Sequence, residues 1–220
     1  MNRTIREIEP HKTYLILHFE DGLRARLPRE CFTEREDLTP GGEVEWEEFT
    51  QWLMPRQYTE SLHYAVSLLS QQGRCSGEIQ RKLKDRFVLD ETAEMVIYKL
   101  QKERLLDDGA YARHYAEVRS RMGMGRSRIR MELSQKGLDH ELIAEALEAI
   151  DTGEAESTAE AYALKLLNRY AKEPDPRKAT QKLLAAMARH GYSLSDSRMA
   201  LEGAKAHLPG EQEESDGEEE

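Results

Sequence analysis

Arginine can hold an anion at two points at once, because its planar guanidinium offers parallel N–H donors that match a phosphate or a carboxylate. Five of them, Arg119, Arg121, Arg126, Arg128 and Arg130, fall within the twelve positions of RSRMGMGRSRIR (119–130). Such a cluster can grip nucleic acid, grip an acidic protein surface, or only solvate a helix. Arg126, Arg128 and Arg130 lie near the start of a predicted helix, where positive charge opposes the macrodipole. Arg126 and Arg130 are like charges four apart, and Arg128 has Glu132 at i+4 in the weaker order. A helix kept only for its fold gains little from this pattern, which favours an anionic partner. Charge runs are often no more than a solvated face, so the pattern alone leaves the two readings about even. Met122 and Met124, flanked by Gly123 and Gly125, read equally as adaptable contacts or as ordinary packing.

Other chemistry is thinner. Asp107 and Asp108 precede an amphipathic helix with Tyr111, Tyr115 and Val118 on one stripe; one acid is expected to cap it, and both favour its positive end. Adjacent carboxylates can also bind Mg2+ or act as acid and base, but with no third ligand or phosphate loop nearby the cap is the better reading. Cys31 and Cys75 stand 44 residues apart with no CxxC, so neither a zinc site nor a disulfide is readable, and no metal or cofactor is expected. Arg81, Lys82 and Lys84 form a second basic strip. Trp46 and Trp52 read as packing residues at the border between sheet and helices.

These groups need elements to position them. The chain has 220 residues, 34% charged and 39% hydrophobic, with 32 basic and 42 acidic side chains for a net charge of −10. Length allows one or two domains, and abundant Glu, Lys, Arg, Leu and Ala favour helix. No window approaches the ~18 apolar residues of a membrane span, and MNRTIREIEPHK lacks the apolar stretch of a secretory signal, so the expected address is the cytoplasm. The last twelve residues, PGEQEESDGEEE, hold seven acids and no base, which leaves −3 for residues 1–208. Such a tail buries nothing and is expected to be disordered.

Asp21-Gly22 between two alternating runs signals a hairpin. A three-residue loop, Glu20-Asp21-Gly22, aligns Phe19, Leu17 and Leu15 with Leu23, Ala25 and Leu27 on one face, with Gly22 left-handed. With EVEWEEF (Glu43–Phe49) and TIREIE as further strands, residues 1–52 form a small antiparallel sheet. From Thr59 the text turns helical and repeats. YAVSLLS (64–70) matches YALKLLN (162–168). Ile79, Leu83, Val88, Ile97 and Leu100 return 50 positions on as Ile129, Leu133, Leu138, Leu147 and Ile150, and a further 54 on as Leu183, Met187, Tyr192, Leu201 and Ala204. Gly137 reads as a helix stop and Asp139 as the next cap, while KEPDPRK (172–178) is a proline-broken loop. The expected fold is mainly α: three tandem three-helix repeats (59–106, 107–151 and 154–208) stacked as an elongated curved solenoid, a small N-terminal antiparallel β-sheet, and the tail 209–220.

The stretch LLDDGAYARHYAEVRSRMGMGRSRIRMELSQKGL (105–138) resembles the middle repeat of the RecX family of bacterial recombinase regulators. The matching residues are Leu106, Asp107, Asp108, Tyr111, Ala112, Tyr115, Gly125, Arg128, Ile129, Glu132, Leu133, Lys136 and Gly137. The resemblance runs from about Thr59 to Leu208 and includes GEIQRKLKDRF; the N-terminal sheet resembles extensions of some members, and the acidic tail departs from the pattern. It implies a non-enzymatic, monomeric regulator, without a cofactor of its own, that lodges on the filament of the RecA recombinase on single-stranded DNA and restrains filament growth, ATP hydrolysis and strand exchange. On that footing Arg119, Arg121, Arg126, Arg128, Arg130, Lys136, Arg81, Lys82 and Lys84 become the filament-binding candidates, with the first and second repeats lining one groove. The motif residues Asp107, Asp108, Tyr111, Ala112, Tyr115, Gly125, Ile129, Glu132, Leu133 and Gly137 are then mainly structural. A direct nucleic-acid-binding protein built from helix-turn-helix-like units, or an inert helical scaffold, are the competing expectations, and a weak direct DNA contact is compatible with the regulator.

Overall fold

Alternation in the first 28 residues produces a hairpin with the register that burial demands. In the computed structural model, which describes residues 1–206, β2 (Tyr14–Phe19) pairs with β3 (Arg24–Pro28) so that Leu15 faces Leu27 and Leu17 faces Ala25. Gly22 closes the loop at φ +86°, and the Phe19 N–H donates to the Leu23 carbonyl at 2.9 Å. β1 (Asn2–Pro10) and β4 (Glu43–Glu45) complete an antiparallel sheet of order β3-β2-β1-β4. Its inner face buries Ile5, Leu17, Phe19, Leu27 and Val44 against Phe49 and Leu53 of the following helix.

That helix, α1 (Trp46–Gln71), starts earlier than the sequence pattern suggests. EVEWEEF is therefore a three-residue strand followed by helix, not one strand. The reason is local: the Glu45 carboxylate accepts the Glu48 N–H at 2.8 Å, and Glu47 and Glu48 suit the positive end of the helix. Trp46 and Trp52 thereby become helical residues packed on the sheet core.

The described residues divide into two compact units, residues 1–111 with 136–138, and residues 112–135 with 139–206. In the first, α1 packs with α2 (Ser76–Lys84) and α3 (Asp90–Lys102) around Ala65, Ile79, Leu83, Val96 and Leu100. Gln57, 3% exposed, ties this bundle to the sheet: its amide donates to the Arg26 carbonyl at 2.5 Å, while its oxygen accepts the Leu89 N–H at 3.0 Å and the Thr92 hydroxyl at 3.2 Å. A buried amide fully used in this way fixes one geometry, because any slip leaves polar groups unpaired.

The remaining helices are α4 (Asp108–Arg121), α5 (Arg126–Gln135), α6 (His140–Glu148), α7 (Thr152–Tyr170), α8 (Pro176–Arg189) and α9 (Leu194–Ala206). The second unit's α7, α8 and α9 share a core of Ala163, Leu166, Leu183, Met187 and Leu201. Among the described residues the helices fall into three consecutive triplets, and the positions related by displacements of 50 and 54 are buried or half-buried in each. The same displacements relate the turn residues Phe87, Gly137 and Gly191, all left-handed, at φ +60°, +87° and +91°. Asp139 caps α6 through the Glu141 N–H at 2.8 Å, as its position predicts. The proline-broken loop is shorter than 172–178, since Pro176 occupies the first turn of α8 behind an Asp175 cap. The acidic tail 209–220, and the last two positions of the third repeat, lie outside the described residues.

Candidate functional site

An arginine-led helix needs its first N–H groups satisfied by something other than an acidic cap. α5 solves this with backbone: the Gly125 N–H donates to the His190 carbonyl at 2.9 Å and the Ser127 N–H to the Gly191 carbonyl at 3.1 Å. The approach is so close that a Cβ on Gly125 would lie 2.2 Å from the Gly191 oxygen, and one on Gly191 would lie 2.4 Å from Arg128 Cβ. Tyr192 adds a hydroxyl bond to the Gly123 carbonyl at 2.9 Å. With the helix start secured by neutral carbonyls, Arg126, Arg128 and Arg130 are tolerated at its positive end.

The five arginines divide into two groups. Arg119 and Arg128 reach Glu132, each through Nε at 3.2 Å, and the Tyr115 hydroxyl donates to the same carboxylate at 2.8 Å. Burial pushes the Glu132 carboxyl up, but the Tyr115 hydroxyl and the two guanidiniums overcome it and hold the group below its ordinary range. Arg121 pairs with Glu117 at 2.7 Å and with Glu154 at 3.0 Å. Arg126 and Arg130 are exposed one turn apart and form no ion pair among the described residues. The cluster is thus a structural network from which two guanidiniums are left facing solvent. Ile129 and Leu133, on the opposite side of α5, are fully buried.

Lys136 is placed differently from the other candidates. Its ammonium sits 2.8 Å from the Glu78 carboxylate, near the Tyr111 ring, with 23% of the side chain exposed. Burial disfavours its charge, yet Glu78 and Tyr111 hold its pKa above the usual lysine value. Burial likewise pushes Glu78 up, and Lys136 more than offsets it, leaving the carboxyl below its ordinary range. Gly137 beside it packs on Gly77 at the start of α2, where a Cβ on Gly77 would meet the Lys136 carbonyl at 2.2 Å. Lys136 and Gly137 therefore dock a turn onto α2.

Asp107 is the cap of α4, accepting the Ala110 N–H at 2.8 Å. Asp108 reaches instead to Ser76, taking its N–H at 2.8 Å and its hydroxyl as well. The buried stripe of α4 is Ala112, Ala116 and Ser120; Tyr111 and Tyr115 flank it half-buried, and Val118, expected on that stripe, is exposed. Arg81, Lys82 and Lys84 lie exposed along the end of α2, where positive charge suits the helix dipole. Gln57, Ser76 and Glu78 were not singled out by sequence; only Glu78 carries a readable signal, three residues after Cys75, whose N–H it accepts at 3.4 Å. Among the described residues no group of three or more His, Cys, Asp or Glu side chains has metal-binding geometry, and no helix is long and apolar enough to cross a membrane.

Comparison with known proteins converges on the same stretch. The family described as RecX, second three-helix domain, matches residues 107–147, which run from the Asp107 cap to the end of α6. Regulatory protein RecX of Mycobacterium sp. (strain JLS) is 31% identical over 165 residues, 72% of this chain and 87% of the relative. That of Mycobacterium avium (strain 104) is 28% identical over 160 residues, 72% of this chain and 91% of the relative. A crystal structure of regulatory protein RecX superposes with a TM-score of 0.62 at 26% identity, covering 91% of this chain and 99% of the other. RecX from Lactobacillus salivarius, at 23% identity and a TM-score of 0.63 over 68% of this chain and 97% of the other, shares the fold. On these matches, this chain belongs to the RecX family.

Proposed function

We propose that this protein is a non-enzymatic regulator that binds the RecA recombinase assembled on single-stranded DNA and restrains filament extension, ATP hydrolysis and strand exchange. The observation that carries the reading is the pair Arg126 and Arg130: like charges one turn apart at the positive end of a helix, exposed and without an ion pair among the described residues. That arrangement costs local stability and contributes only when an anionic partner meets it. Family membership supports the RecA filament as that partner. Lys82 and Lys84 are assigned a supporting electrostatic role, and Arg119, Arg121, Arg128 and Lys136 act by holding the scaffold. The protein acts as a monomer in the cytoplasm, and ATP and Mg2+ belong to the recombinase. ATP hydrolysis by RecA on single-stranded DNA, titrated with this protein, tests the reading: substoichiometric inhibition supports it, and no effect at excess protein refutes it.

Direct nucleic-acid binding is a second reading, favoured by the exposed arginines. Residues 59–151 hold 16 acids and 15 bases, far from a strongly basic footprint. Any such binding should be weak, with log affinity falling by ~0.7–0.9 per phosphate contacted for each tenfold rise in salt.

A further inference from the structure

A cavity of about 290 Å3 lies in the second unit, between the start of α5 and the facing sides of α7 and α9. Its inner wall is apolar, built by Met124, Ala159 and Ala200. Its polar lining is lopsided: Glu156, Glu160 and Asp196 stand against one cation, Arg126. None of the three carboxylates forms an ion pair with a lysine, arginine or histidine among the described residues. Met199, another lining residue, is 55% exposed and stands at the open rim of the cavity.

We infer that this cavity receives one apolar side chain of a RecA segment, flanked by a lysine or arginine that meets the acids. The inference rests on the filament reading above and names the contact that completes it. Size admits one aromatic or branched side chain, and small alanine walls leave the space open. Methionine suits such a site, because its unbranched, polarizable side chain repacks around the shape presented to it. The acids select the neighbouring charge: an anionic segment would face three carboxylates, whereas a basic one supplies the counter-charge that no lysine, arginine or histidine provides among the described residues. A small polyamine would satisfy the carboxylates but make little use of the apolar wall of Met124, Ala159 and Ala200. Arg126 belongs to both features, so the occupant would seat beside the exposed arginine pair and add burial to charge attraction. Side chains buried in such pockets dominate many interfaces.

Two substitutions separate the apolar from the charged part. Ala155→Trp, on the half-buried lining of α7, fills the cavity from a position that takes no part in the core; Glu156→Lys reverses the exposed part of the polar lining. Binding to RecA filaments on labelled single-stranded DNA is measured by anisotropy at low and high salt, with far-UV circular dichroism confirming native helix content. We expect Ala155→Trp to weaken binding on the order of tenfold or more at both salt concentrations, since apolar burial is not screened. Glu156→Lys should weaken it several-fold at low salt, with the gap narrowing at high salt. If wild type binds and both variants bind equally well, the cavity proposal is overturned while the filament reading stands. If wild type itself does not bind, the filament reading falls and the assigned occupant with it.

Discussion

Replacing Glu132 by glutamine is expected to lower stability and raise filament affinity together. The carboxylate, 17% exposed, holds the Tyr115 hydroxyl and two guanidiniums whose side chains are 30% and 37% exposed. Removing one partner of a fully buried ion pair costs about 3–5 kcal/mol, and an exposed pair is worth about 0–1. These half-buried pairs fall between, and glutamine still offers Tyr115 an acceptor, so a loss of ~1–2 kcal/mol is expected at neutral pH. The sign with pH follows from the depressed carboxyl: its contribution is complete above the unfolded value near 4.5 and is lost as pH falls through the lower folded value. Urea unfolding of wild type and variant should therefore differ at pH 7 and converge on acidification. Binding moves the other way, because one negative charge is gone and Arg128 is released to join Arg126 and Arg130. Tighter filament binding at low salt, fading as salt rises, is the expected result. A variant that is unchanged in stability, or that binds more weakly while remaining folded, refutes the division of the cluster into holding and presenting arginines.

Other consequences are as direct. Gln57→Leu keeps the volume but strands the Leu89 N–H, and should cost ~2–4 kcal/mol in urea unfolding with faster exchange of that amide; an effect below ~1 kcal/mol would remove Gln57 as the tie between sheet and helices. Gly191→Ala combines φ +91° with a Cβ 2.4 Å from Arg128 Cβ, so a loss well beyond the ~1–2 kcal/mol of a left-handed alanine is expected on thermal melting. Lys136→Met leaves Glu78 desolvated and unpaired; the destabilisation should be largest at neutral pH and shrink as Glu78 protonates, whereas a pH-independent loss would point to packing alone.

Periodicity made much of this fold legible. The hairpin register follows from which leucines can share a face, and the displacements of 50 and 54 locate the buried positions of all three helix triplets. The extent of α1 was hidden, because EVEWEEF alternates like a strand while Glu45 and its neighbours stabilise a helix start, a contest that only packing decides. The site was legible as composition and not as geometry. Five arginines and a lysine announce charge, but the commitment of Arg119, Arg121, Arg128 and Lys136 to Glu132, Glu117, Glu154 and Glu78 depends on rotamers and on contacts up to 58 residues apart. Phe87 shows the same limit. Its left-handed backbone is invisible beside two glycines that do the same work, since tertiary contacts, including the 2.8 Å bond from the Arg26 N–H to its carbonyl, hold it there.

The most direct test of the central claim reverses the two solvent-facing arginines. RecA ATP hydrolysis on single-stranded DNA is titrated with wild type, with Arg126→Glu/Arg130→Glu, and with a control carrying Lys165→Glu on the exposed surface of α7. Substoichiometric inhibition by wild type and control is expected, and a shift of at least ~10-fold in the amount of double variant required, with native helix content in all three. Equal inhibition by the double variant would contradict the claim.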